Sequence, residues 1–194
     1  MKKIVITGAL GYIGTELCKL YSGLSWKYQV VGIDNRFVSE RVNELKRRKI
    51  KFVQADILNI EDIKIHIQDA DTVHHLAGIT DVAYVKKDSD KEQDELIKRV
   101  AIDGTNNVLN SMNPNSQIVF PSTHVVFEGL KEPKENIDEK EETNTFLAYS
   151  SSKVVNENQI INSGKRHTIF RLGSVYGFST DTMRIGIMPN LFSK

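Results

Sequence analysis

The chain has 194 residues, 40% hydrophobic and 26% charged, with 26 Lys and Arg against 25 Asp and Glu for a net charge of +1. That length buries a real core, and the balanced charge gives no electrostatic footprint for nucleic acid or an anionic membrane, so a small-molecule ligand is expected. The lone Cys18 excludes an internal disulfide, argues against a cysteine-built metal site and fits a reducing compartment, the cytoplasm.

The apolar run Ile4-Val5-Ile6 stops at Thr7 and Gly8, too short for a signal peptide, and no stretch approaches the roughly 20 apolar residues of a membrane span. From there, Val- and Ile-rich runs alternate with amphipathic stretches, the pattern of a parallel sheet covered by helices. Strands are predicted at Lys3 to Thr7, Gln29 to Asp34, Lys51 to Gln54, Thr72 to Leu76, Gln117 to Pro121 and His167 to Leu172. Helices are predicted at Tyr12 to Leu24, Arg41 to Lys49, Ile60 to Gln68, Glu92 to Met112 and Leu147 to Asn162. Glu128 to Thr145 is polar, contains Pro133 and lacks apolar periodicity, so it reads as a long surface loop. The fold class is α/β: a Rossmann-type doubly wound parallel sheet whose ligand crevice lies beyond the carboxyl ends of the strands.

The first strand runs into Gly8-Ala9-Leu10-Gly11-Tyr12-Ile13-Gly14 and then into a helix. Glycines at this spacing let the backbone turn tightly and approach a pyrophosphate, whose charge the helix start favours. Twenty positions beyond Gly14, the second strand ends at Asp34, where a carboxylate hydrogen-bonds ribose hydroxyls and repels a 2′-phosphate. This favours NAD over NADP; Arg36 is the residue that could neutralise a 2′-phosphate. Asp56 could accept from an adenine amino group with Ile57 over the ring, or serve as a helix-start acid. Leu76-Ala77-Gly78 could run beside the cofactor, or form a plain turn.

Tyr149 and Lys153, four residues apart at a helix start, project from one face. A nearby ammonium stabilises a phenolate, which suits a general base, and Lys153 can also reach the nicotinamide ribose. Pro121-Ser122-Thr123 places hydroxyls at the crevice, or forms a strand-end turn.

In order and spacing these segments, together with His75-Leu76-Ala77-Gly78, Asp103-Gly104-Thr105, Tyr149-Ser150-Ser151-Ser152-Lys153 and Arg171-Leu172-Gly173-Ser174-Val175-Tyr176-Gly177, resemble the extended short-chain dehydrogenase/reductases. Within that group the chain is similar to the nucleotide-sugar 4-epimerases and 4,6-dehydratases. The resemblance implies Tyr149 as base, Lys153 as its pKa-lowering partner and ribose ligand, and Thr123, spaced four residues before Phe127, as the hydroxyl beside the reacting oxygen, with Ser122 second. It implies cofactor contacts from Gly8, Gly11, Tyr12, Ile13, Gly14, Asp34, Asn35, Asp56, Ile57, Leu76, Ala77 and Gly78, besides Tyr149 and Lys153. Substrate contacts would come from Thr80, Thr123, Tyr149 and Ser174, with no metal.

Three departures qualify the match. Ala101 stands where the family usually has an asparagine that organises a relay water. Val126-Phe127-Glu128-Gly129 carries one residue more than the family's V-Y-G, and Ser174 replaces an asparagine that commonly contacts substrate. His124 and Val125 stand where a dehydratase has two acids, which disfavours elimination; His124 itself reads as a packed or solvated side chain. The expected function is an NAD-dependent epimerase or dehydrogenase acting on a sugar hydroxyl. The alternatives are an NADP-dependent carbonyl reductase and a non-catalytic dinucleotide-binding regulator or scaffold. The resemblance also implies a homodimer through the helices Glu92 to Met112 and Leu147 to Asn162. Residues 1–177 are expected to form the NAD-binding domain and 178–194 the start of a smaller substrate domain, most of it missing, since Phe192 to Lys194 does not resemble a natural end.

Overall fold

The computed structural model describes residues 1–80 and 91–179. Six parallel strands, β1 Lys2–Thr7, β2 Tyr28–Asp34, β3 Lys51–Gln54, β4 Thr72–His75, β5 Gln117–Thr123 and β6 Arg166–Leu172, stand in the order β3-β2-β1-β4-β5-β6. The order reverses between β1 and β4, and the crevice at such a switch point is where doubly wound sheets bind ligands. The helices between them are α1 Tyr12–Ser22, α2 Ser39–Arg47, α3 Ile60–Ile67, α4 Lys91–Ser111 and α5 Ala148–Asn162.

Alternation along the strands sends side chains to two faces. Val5, Ile33, Val73, Ile118 and Phe120 join Ile63, Val108 and Ile160 in a large core under α3, α4 and α5. Ile4, Ile6 and Val30 pack with Cys18, Val42 and Leu45 under α1 and α2. The Cys18 thiol is fully buried there, and burial pushes its pKa up to about 12, so it is a packing residue.

The predicted elements all form, with shifted ends. The fourth strand stops at His75, one residue early, and α1 stops at Ser22, where Gly23 begins a turn. β5 continues two residues past the expected end at Pro121, through Ser122 to Thr123, and a 3-10 helix, unforeseen in the sequence, follows at His124–Phe127. Proline is tolerated in this inner strand because β4 pairs with β5 only as far as His74 opposite Val119, so Pro121 lies beyond the β4 ladder. The expected loop from Glu128 onward is irregular, and it is anchored at its start and end: Asn144 donates its backbone N–H to Val126 O and its side-chain amide to Gly129 O, 2.9 and 3.0 Å.

Candidate active site

The turn from β1 into α1 is built by close backbone approaches. Gly8 has φ +70°, and a Cβ there would meet Ala77 N and Leu76 C of the β4 end at 2.8 Å. A Cβ on Gly14 would lie 2.9 Å from Ala9 Cα and closer still to Gly8 O, so no side chain fits between the helix and the turn. Gly11 is the N-cap of α1 with no side-chain cap, and the first turn carries no acid. The helix therefore presents uncapped amides to the crevice, a setting for an anion. Asp34, 5% exposed, closes the other side: its Oδ2 accepts from Leu10 N–H at 3.0 Å and its Oδ1 from Arg36 N–H and Nε, both at 3.1 Å. Asn35 leans to Asp56 Oδ2 at 3.4 Å, and Asp56 Oδ1 accepts from Leu58 N–H at 2.9 Å. Ile57 is buried in the main core, where Gly104 of α4 lets it approach and Asn107 Nδ2 donates to its carbonyl at 2.9 Å. These residues fit a dinucleotide: a glycine cradle that side chains would fill, uncapped amides for a pyrophosphate, and a buried carboxylate at the second strand's end.

Around the β4 and β5 ends a small cavity of about 20 Å³ gathers Leu76, Ala77, Gly78, Thr80, Tyr149 and Lys153. Six residues singled out in the sequence thus share one space. Lys153 reaches inward from α5 to donate to Pro121 O at 2.8 Å, with its Nζ 4.3 Å from the Phe120 ring centroid and 5.8 Å from that of Tyr149. Burial holds its pKa down at about 8, against the opposing pull of Glu157. His75 sits fully buried behind it, bonded to Thr7 Oγ1 at 2.8 Å and Thr105 Oγ1 at 3.0 Å. Burial, and then the Lys153 charge, push the imidazole pKa down to about 3, so this histidine is neutral.

Thr123 lies buried at the end of β5 and accepts from Val125 N–H at 3.2 Å, starting the 3-10 helix. Ser122, one residue earlier, points to the opposite face and hydrogen-bonds Glu157, which holds Arg171 in a two-pronged ion pair with contacts of 3.1 and 2.7 Å. Strand alternation thus gives the two neighbouring hydroxyls different surroundings. His124 is exposed, bonded to Leu172 O at 3.0 Å. Ser174 is exposed on the segment after β6 and does not line the cavity, while Tyr12 OH donates to Gly177 O at 2.6 Å, laying that segment against the start of α1.

Two contributors were missed in the sequence. Glu128, the extra residue beside Phe127, accepts from Phe146 N–H at 2.7 Å, Leu147 N–H at 2.8 Å and the Ser150 hydroxyl. It caps α5 from outside and so fixes the helix that carries Tyr149 and Lys153. The displaced glycine was its only sequence signal. Asn156 is the other; nothing in its spacing separates it from an ordinary helix residue.

A model of the NAD dependent epimerase/dehydratase family matches residues 4–193. The chain belongs to this family. Among solved structures of similar proteins, a UDP-glucuronic acid 4-epimerase from Bacillus cereus in complex with UDP-glucuronic acid and NAD matches with TM-score 0.77 and 26% identity, over 97% of this chain and 60% of that one. WbmH from Bordetella bronchiseptica in complex with NAD+ matches with TM-score 0.74 and 28% identity, over 91% and 57%. Short-chain dehydrogenase/reductase family 42E member 1 from Macaca fascicularis is 33% identical over 133 residues, 65% of this chain and 30% of that protein. The chain therefore spans about three fifths of these two solved neighbours and under a third of the curated relatives it matches. The parallel strand order β3-β2-β1-β4-β5-β6 and the glycine turn after β1 make the architecture Rossmann-type, as the sequence predicted. Among the described residues no helix is long and apolar enough to cross a membrane, and no cluster of three or more His, Cys, Asp or Glu could hold a metal ion.

Proposed function

We propose that this epimerase/dehydratase family member is the dinucleotide-binding part of an NAD-dependent enzyme that oxidises the hydroxyl of a nucleotide sugar, as epimerase or dehydrogenase. The observation that carries the reading is Lys153, buried one helical turn from Tyr149 with its Nζ 5.8 Å from the phenol ring, in a cavity walled by Leu76-Ala77-Gly78. The solved neighbours, a UDP-glucuronic acid 4-epimerase in complex with UDP-glucuronic acid and NAD among them, support cofactor and substrate class.

When bound, NAD supplies the hydride acceptor. Gly8, Gly11 and Gly14 shape the turn that admits its pyrophosphate to the Tyr12 and Ile13 amides, and Asp34 takes the adenosine ribose. Asn35, Asp56 and Ile57 flank the adenine end. Tyr149 accepts the proton of the sugar hydroxyl, with Lys153 favouring the phenolate and holding the nicotinamide ribose. Thr123 steadies the reacting oxygen, and Thr80 and Ser174 contact the substrate. Residues 1–177 form the cofactor domain in this reading and 178–194, of which 180–194 lie outside the described residues, begin the substrate domain. The assembly is a homodimer through α4 and α5, in the cytoplasm.

One observation favours a second reading. Arg36, 56% exposed at its side chain, rests on Asp34 at 3.1 Å and offers a cation for a 2′-phosphate, as an NADP-dependent reductase requires. Calorimetric titration of NAD and NADP into the full protein decides. NAD binding lost in Asp34→Ala supports the proposal, preference for NADP that falls in Arg36→Ala supports the second, and absence of both moves a scaffold role to the front.

A further inference from the structure

One turn beyond Lys153, Asn156 is 2% exposed and lines the same cavity, opposite Ala101 of α4. Its Nδ2 donates to Ala101 O at 3.0 Å and to Gln159 Oε1 at 2.9 Å, while Gln159 Nε2 donates to Ile102 O at 3.1 Å. Two backbone carbonyls of α4 therefore settle which way both amides point, because a carbonyl can only accept. With its nitrogen committed, Asn156 presents Oδ1 as the remaining polar end, and that oxygen accepts no hydrogen bond from the described residues. The Lys153 ammonium has three donors, of which one goes to Pro121 O. Between these groups lies a cavity of about 20 Å³, above the roughly 10–15 Å³ that one water requires.

We propose that Asn156 is a positioning residue for Lys153: through a single water in this cavity its Oδ1 accepts from the Nζ ammonium, keeping the buried lysine charged and directed at Tyr149. The inference rests on Tyr149 and Lys153 being the reacting pair. It explains how the site does without a polar side chain at position 101, where the wall offers only a methyl group and a carbonyl already bonded to Asn156. Uncharged Ile97 and Ala101 are what α4 gives this cavity. The titratable groups facing Lys153 are Tyr149 and Glu157 on its own helix and His75 on β4, with Arg171 of β6 behind Glu157. Arg171 satisfies Glu157 with two contacts, which leaves the Asn156 oxygen as the neutral acceptor on the cavity side.

The test follows the Lys153 side chain directly, by carbon-13 NMR titration of the lysine-labelled full chain without cofactor, its signal assigned by loss in Lys153→Arg. Asn156→Asp, nearly the same shape but charged, is expected to move the lysine midpoint up by about one pH unit, and Asn156→Leu, which removes the acceptor, to move it down. A merely structural amide joining α5 to α4 lowers the melting temperature in both variants and leaves the midpoint where it was; that result, or a shift of the same sign in both, overturns the proposal. If the leucine variant does not fold, Asn156→Ala, which also removes the acceptor, replaces it with the same expected downward shift. NAD titration of the unaltered protein keeps the two readings apart: no binding defeats the cofactor assignment, whereas the lysine midpoint still decides Asn156.

Discussion

The two halves of the sheet achieve their sites by opposite means. Around β1 and β2 the geometry is local: a strand, four residues of turn and a helix place Gly8, Gly11 and Gly14, and a backbone N–H of that turn, Leu10, reaches the carboxylate at the end of the next strand at 3.0 Å. Around β4, β5 and α5 nothing is local. Lys153 takes its carbonyl partner from 32 residues away, Glu128 caps a helix 19 residues on, and His75 is held between Thr7 and Thr105. The first half is a backbone shape that tolerates no added atoms. The second is a set of buried polar side chains whose charge states depend on their surroundings, which makes its function sensitive to changes that leave the fold intact.

Perturbations that separate shape from charge sharpen this contrast. Tyr149→Phe keeps the ring and removes the oxygen proposed as the acid–base group, so on that proposal turnover of a UDP-sugar should fall by about 10²–10⁴-fold while calorimetric NAD affinity changes little; equal loss of both would erase the division between halves. Gly14→Ala forces a methyl group against the Gly8 and Ala9 backbone, at a cost of about 3 kcal/mol, read as a lower midpoint in urea.

Lys153→Met tests the charged half through stability. The folded lysine has a pKa of about 8, below the ~10.4 of an unfolded chain, so between these values the unfolded state binds more protons and native stability rises with pH. The buried charge is therefore a burden below pH 8. The methionine variant should melt higher than the unaltered protein at pH 7, with the gap closing as pH rises from about 8. A gap independent of pH would show that the folded and unfolded lysine share one pKa, so that burial does not depress it. His75 acts at the acid end: its pKa of about 3 lies below the unfolded ~6.5, so its contribution is present above that value and is lost as pH falls toward 3. His75→Asn should flatten melting temperature against pH across that range. The smallest effect is expected from Glu128→Ala, which removes a helix cap from outside the helix and should cost about 1 kcal/mol, seen as a few degrees in thermal melting.

The amino-acid sequence by itself determined the alternation of strands and helices, the glycine turn, the acid at the end of β2 and the Tyr149–Lys153 spacing, because each is a periodicity or a contact between near neighbours. Those features were legible even where the ends moved, as with β5, whose extension to Thr123 depends on pairing with β6 beyond the last β4 bond. Only the tertiary structure decided that Ser122 and Thr123 face different surroundings, that Glu128 caps α5, and that Asn156 turns its amide nitrogen toward α4. These depend on which strand face and which helix turn meet across tens of residues, and on burial, the largest cause of the depressed lysine and histidine pKa values. Periodicity names the face of an element; only packing names its neighbour.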